Sequence, residues 1–227
     1  LQCGYWLIAG KNLDTYMKLK LYLILMLTVT TTLTYAQDEW TLKTQSEGIK
    51  VYSNNKSALK VKPIKVECLF NASPAQIAAA LLDIKNYTDW AYKTKSATLV
   101  KQVSPTELFY YAEINMPWPT QNRDFTAHVT ATQAATKVIT VDAPSVSNLL
   151  PEKEGLIRVK KSSGKWVLAP TGNNQTQVTY YLQIEPDGEA PAWLINLFIA
   201  DGPMQSLKKL KVQVQKPAYK NSGLPFK

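Results

Sequence analysis

The run Met116-Pro117-Trp118-Pro119-Thr120-Gln121-Asn122-Arg123-Asp124-Phe125 constrains this chain more than any other. Each proline fixes φ and biases the residue before it away from helix, so Trp118 is held in an extended turn. Arg123 and Asp124 then open a strand in which Phe125, Ala127, Val129 and Ala131 alternate with Thr126, His128 and Thr130. A period of two with one apolar side demands a sheet that packs one face against other elements.

The same alternation recurs along the chain. Strands are predicted at 97–103, 108–114, 123–133, 137–142, 156–161, 166–169 and 177–185, and short turns at this spacing indicate a long antiparallel sheet. Ahead of them, 47–52 reads as a short strand and 59–70 as a longer one, with Pro63 marking an edge position or a bulge. Ser73-Pro74-Ala75-Gln76 begins a helix, with Ser73 as N-cap, Pro74 in the first position and Gln76 completing a capping box. A further helical turn over 83–90 carries Ile84, Tyr87 and Trp90 at helical spacing.

The last predicted element is a helix over 191–215. Trp193, Leu194, Leu197 and Phe198 form an apolar stripe that Met204, Leu207, Leu210 and Val214 continue. Asp201-Gly202-Pro203 interrupts it, and a proline there bends the axis. A sheet with one apolar face and a terminal helix with a matching stripe give an α+β domain, the helix lying across the sheet.

Met17-Lys18-Leu19-Lys20, an apolar run over 21–29 and Thr34-Tyr35-Ala36 have the order of a secretory signal peptide, cut between Ala36 and Gln37. A run of about nine apolar residues is too short to span a ~30 Å hydrocarbon layer. The expected organisation is therefore upstream sequence over 1–16, a signal peptide over 17–36 and one domain over 37–227. The mature protein would be periplasmic or secreted. Cys68 alone of the two cysteines falls in that domain, on the apolar side of its strand, and is expected to be a buried, inert thiol.

The net charge of +9 falls to +7 once the three lysines and one aspartate before Gln37 are removed. Lysines carry it, several of them between Lys208 and Lys227, while arginine is scarce. Nucleic acid is not an expected partner; transient attraction to anionic membrane surfaces is. The chain is expected to act as a monomer. Little suggests catalysis. His128 is the only histidine and lies on the polar side of its strand, and one histidine with one cysteine cannot build the usual transition-metal site. No nucleophile elbow, phosphate loop or zinc-protease motif occurs, so no cofactor is expected.

The proline-tryptophan-proline turn running into Arg123-Asp124-Phe125 resembles the signature of START domains, the modules related to steroidogenic acute regulatory protein. Glu47-Gly48-Ile49-Lys50-Val51-Tyr52, Tyr87-Thr88-Asp89-Trp90, Glu107-Leu108-Phe109-Tyr110-Tyr111, Gly155-Leu156-Ile157-Arg158-Val159 and Pro191-Ala192-Trp193-Leu194 extend the resemblance over nearly the whole predicted domain. The resemblance implies a helix-grip fold, a curved antiparallel sheet wrapped around a long C-terminal helix, with a tunnel that holds one lipid or other apolar molecule. By alternation, the inward set contains Tyr110, Ala112 and Ile114, then Phe125, Ala127 and Val129, with Val178, Tyr180 and Leu182 opposite. Leu194 and Phe198 would close it from the helix. Sterol-carrying relatives place a second arginine where this chain has Val129, which favours a more uniformly apolar ligand. Arg123 and Arg158 are the candidate headgroup partners, with Arg123 otherwise an ion-pair partner of Asp124.

Three readings stand at this stage. The first is non-catalytic binding and transfer of a lipid. The second is a helix-grip enzyme using Tyr110, Tyr180 and Arg158. The third is a solidly packed domain recruited to membranes by its lysines. The space between sheet and helix separates the third from the others.

Overall fold

The computed structural model describes residues 39–185 and 201–226, with Met17, Lys18 and Lys20 before them. The expectations for 1–16 and for the signal peptide, those three residues apart, lie outside the described residues. So do Leu194, Phe198 and the rest of the stripe over 193–198. The chain divides into a unit ending at Asp38 and a second beginning at Glu39, and the fold is that of the second.

Its strands are β1 (Trp40–Ser46), β2 (Ile49–Asn54), β3 (Ile64–Phe70), β4 (Thr94–Ser104), β5 (Glu107–Ile114), β6 (Arg123–Gln133), β7 (Ile139–Pro144), β8 (Ile157–Arg158), β9 (Lys161–Gly172) and β10 (Gln175–Glu185). They form one curved sheet in the order β1-β2-β3-β10-β9-β7-β6-β5-β4, antiparallel throughout, with β8 pairing β6 in parallel off that path. Between strands β3 and β4 stand helix α1 (Pro74–Leu82), a single 3₁₀ turn (Ile84–Asn86) and helix α2 (Tyr87–Trp90). The chain ends in α3 (Gly202–Gln213) and α4 (Pro217–Lys220). This is the helix-grip architecture expected.

Local chemistry explains the turns. Glu47 and Gly48 between β1 and β2, and Asn173 and Asn174 between β9 and β10, all take positive φ. Two-residue hairpins with both central residues left-handed match the twist of the strands they join, and asparagine and glycine tolerate that conformation best. Ser73 caps α1 as predicted, its Oγ accepting the Gln76 amide at 3.2 Å. Gln76 does not complete a capping box. Its side chain instead donates to the Val214 carbonyl at 2.6 Å, joining α1 to the end of α3.

Four other expectations are corrected. The strand predicted over 59–70 begins at Ile64. Pro63 lies outside it, its carbonyl accepting the Asn54 amide at 2.9 Å. Strand β1 was not foreseen, because most of its residues are exposed and it shows no apolar alternation. The segment predicted as one strand over 156–161 is split: Ile157 and Arg158 pair with β6, and Lys161 starts β9. Lys137, read as the start of a strand, sits in the turn before β7 with φ of 66°.

The core lies on the concave face of the sheet. Ile49, Val51, Val66, Cys68 and Phe70 pack with Leu207, Leu210 and Val214 of α3, while Ile77 and Leu81 of α1 cover β7 and β9. Cys68 is buried and its thiol is pushed up to about 12 by loss of solvation. Pro203 stands in the first turn of α3.

Candidate functional site

The concave face is not filled along its whole length. A cavity of about 220 Å³ remains, far above the ~15 Å³ that holds one water. Strands β5 and β6 form one wall with Tyr110, Ala112, Ile114, Arg123 and Phe125. Facing them, β9 contributes Ser162, Gly164 and Trp166, and β10 contributes Tyr180, Leu182 and Ile184. Tyr87 and Trp90 of α2 and Gly202, Pro203 and Ser206 of α3 are the other described residues that line it from the helices. Ser206 accepts the Tyr92 amide at 3.0 Å, tying the end of α2 to α3.

Small residues create the space. Gly164 is flanked in the sheet by Ala143 and Leu182, and a Cβ added there would stand 3.6 Å from the Tyr180 ring. Around that space six aromatic rings touch in sequence. Phe125 meets Tyr110 at 5.6 Å, Tyr110 meets Tyr87 at 5.3 Å, and Tyr87 meets Trp90 at 4.9 Å. Trp90 then meets Trp166 at 6.4 Å, and Trp166 stacks on Tyr180 at 3.9 Å. Burial raises the pKa of Tyr87, Tyr110 and Tyr180, so their hydroxyls stay neutral.

The two arginines separate here. Arg158 is buried and donates from Nε to Asp124 Oδ1 at 2.8 Å and from Nη2 to Asp124 Oδ2 at 3.0 Å. Its remaining donors reach the carbonyls of Leu150 at 3.0 Å and Pro151 at 3.1 Å, pinning the loop before β8. The hydrogen bonds to Asp124 raise the Arg158 pKa. Arg123 is 1% exposed and has no carboxylate partner among the described residues; there its Nε and Nη2 find no acceptor, and Nη1 meets the Gln121 carbonyl at 3.4 Å. Desolvation lowers its pKa. The expected Arg123–Asp124 ion pair is therefore replaced by Arg158–Asp124. Adjacent residues of a strand point to opposite faces, which sends Arg123 to the cavity and Asp124 to the other side.

The loop that presents Arg123 is held by Asn122, whose side chain accepts the Met116 amide at 2.9 Å and donates to Glu113 at 3.1 Å. Within it the Trp118–Pro119 bond is cis, Thr120 closes a turn onto the Pro117 carbonyl at 3.1 Å, and Trp118 is 92% exposed. Met116, two residues away, lines the cavity.

Of the predicted contacts, Tyr110, Ala112, Ile114, Arg123, Phe125, Tyr180 and Leu182 line the cavity. Ala127, Val129 and Val178 face the same way but belong to the packed core, because the apolar face is longer than the cavity and helices fill the rest. Arg158 is spent on Asp124, so the trio Tyr110, Tyr180 and Arg158 is not brought together. Tyr87, Trp90, Met116, Gly164, Trp166 and Ser206 were missed. The spacing of Tyr87 and Trp90 marked a helix face without saying what it faced, and nothing local marks Ser206. His128 lies half-exposed, stacked on Phe109 at 4.2 Å and 2.8 Å from Glu107. No carboxylate appears among the described lining residues.

A ten-stranded sheet gripping a terminal helix, with an aromatic cavity between them and a buried arginine that no described carboxylate faces, defines a helix-grip binding domain. The START domain family model matches residues 22–220, and the chain belongs to that family. An uncharacterized protein of Pseudomonas aeruginosa is 34% identical over 79% of this chain and 88% of its own. The phosphatidylcholine transfer protein of Mus musculus is 28% identical over 76% of this chain and 82% of its own. Among solved structures, the STAR-related lipid transfer protein of Xanthomonas axonopodis (fragment 25–204) superposes with a TM-score of 0.73 at 30% identity, over 79% of this chain and all of that one.

Proposed function

We propose that this protein binds one amphipathic lipid in the cavity and carries it between membranes as a monomer, without catalysis. The observation that carries the reading is Arg123. A buried guanidinium with no counter-ion is strongly disfavoured, yet Arg123 has none among the described residues and stands beside an aromatic, aliphatic space with room for a guest. An acidic headgroup such as a phosphate or carboxylate supplies the missing charge, and the rings take the acyl chain. Relatives that transfer phosphatidylcholine support a phosphate-bearing lipid.

The proposed setting is the periplasm or the extracellular space, reached through the signal peptide cut at Ala36–Gln37. The basic surface draws the protein to anionic membranes, and Trp118 on its proline turn meets the headgroup layer near the cavity rim. The test is extraction of the purified protein with organic solvent, followed by mass spectrometry. Stoichiometric lipid supports the proposal. An empty extract, together with no uptake from labelled vesicles, overturns it.

A further inference from the structure

One donor in the cavity wall is left over once Arg123 is assigned. Trp90 is 5% exposed, lines the cavity, and has no acceptor for its Nε1–H among the described residues. An indole N–H only donates, and buried tryptophans ordinarily find a partner. Its neighbours do not serve. The Tyr87 hydroxyl donates to the Leu81 carbonyl and the Ser206 oxygen receives the Tyr92 amide, and neither accepts from Trp90 Nε1.

The buried polar atoms left unmatched on this wall are all donors, Trp90 Nε1 with Arg123 Nε and Nη2, and no carboxylate faces them among the described residues. A ligand amine or hydroxyl would bring one more proton to place. A carbonyl oxygen brings none and accepts from two directions. Trp90 and Arg123 line the same cavity. Thr94, Ile114 and Arg123 are direct neighbours across β4, β5 and β6, two strand spacings of about 4.8 Å. Trp90 lies just before the turn in which the Thr94 amide meets the Ala91 carbonyl at 3.1 Å. A glycerophosphate and its acyl carbonyl are a few bonds apart.

Resting on the lipid-binding reading above, we propose that Trp90 is a carbonyl subsite. Its Nε1–H donates to the ester carbonyl of the ligand whose acidic head Arg123 holds. The ligand class is then an acyl ester, in preference to an ether lipid or a hydrocarbon without a carbonyl.

The experiment compares two lysophosphatidic acids, one with an oleoyl ester and one with an oleyl ether, on the full chain and on Trp90→Phe. The wild-type protein is expected to bind the ester with a roughly tenfold lower Kd. Trp90→Phe should bind both within about twofold of each other, because the volume lost is common to the two probes whereas the donor serves only the ester. In the wild type, the Trp90 indole N–H resonance should move downfield with the ester and stay with the ether. Should the variant not fold, those two wild-type measurements decide alone. Equal wild-type affinities or an unmoved indole resonance overturn the assignment. Failure of both probes to bind, with lipid still recovered in the solvent extract, overturns it and leaves lipid binding standing; no lipid by either route overturns both.

Discussion

Asp124 gives both carboxylate oxygens to Arg158, 34 positions along the chain, and none to its neighbour Arg123. Both members of this pair have side chains about 1% exposed. Breaking it strands a buried charge. Arg158→Met is expected to lower stability by about 3–5 kcal/mol, whereas the double change Asp124→Asn, Arg158→Met should recover a large part of that loss. Urea denaturation of the three proteins checks this, and equal losses in the single and double variants would contradict it.

Arg123 should behave in the opposite sense. Without bound lipid its charge is uncompensated, so Arg123→Met is expected to raise the stability of the delipidated protein, by about 1–4 kcal/mol. Recovery of acidic lipid should fall at least tenfold at the same time. A variant that is less stable and still loads lipid normally would remove Arg123 from the site.

Gly164 separates space from stability. Its φ is not in the positive region and an added Cβ makes ordinary contact with Tyr180. Gly164→Ala should therefore stabilise by about 0.4–1 kcal/mol through the unfolded chain. Gly164→Leu projects into the cavity and is expected to abolish lipid uptake in a fluorescent-lipid transfer assay while circular dichroism stays native.

Alkaline pH should weaken the fold. The Cys68 thiol rises from 9.0 to about 12 on burial, so the folded state keeps a proton that the unfolded state releases. Stability then declines with a negative slope between about pH 9 and pH 12. Tyr87, Tyr110 and Tyr180 shift in the same direction and add to the loss. With Cys3 replaced by serine, native protein at pH 8 should leave Ellman's reagent unreacted, and prompt reaction would show that Cys68 is accessible.

Trp118 is expected to matter for membranes alone. At 92% exposure it supports no core, so Trp118→Ala should change stability by less than about 0.5 kcal/mol. Sedimentation with anionic vesicles should nonetheless fall severalfold. Unchanged sedimentation would move the membrane contact elsewhere on the surface.

The readings that succeeded were those whose cause is local. Strand β6 was placed at 123–133 because alternation and the preceding prolines act within a few residues, and the Ser73 cap was placed because its geometry spans one turn. Gln76 failed for the converse reason: its partner, Val214, lies 138 positions away and competes with the local amide for the same side chain. Arg158 failed likewise. Alternation put it opposite Ile157 and Val159 but could not reveal that β8 pairs in parallel with β6 and sets it against Asp124.

From the order of residues alone came the sheet, the apolar face, the second half of the terminal helical stripe and seven of the cavity's lining positions, since side-chain direction in a strand follows from its period. Which part of that face stays open, which arginine is left without a partner and which tryptophan donor goes unmet were decided only by the packing of α1, α2 and α3 on the sheet. Volume and charge pairing arise between segments far apart in the chain, and no local pattern records how much space two of them leave between them.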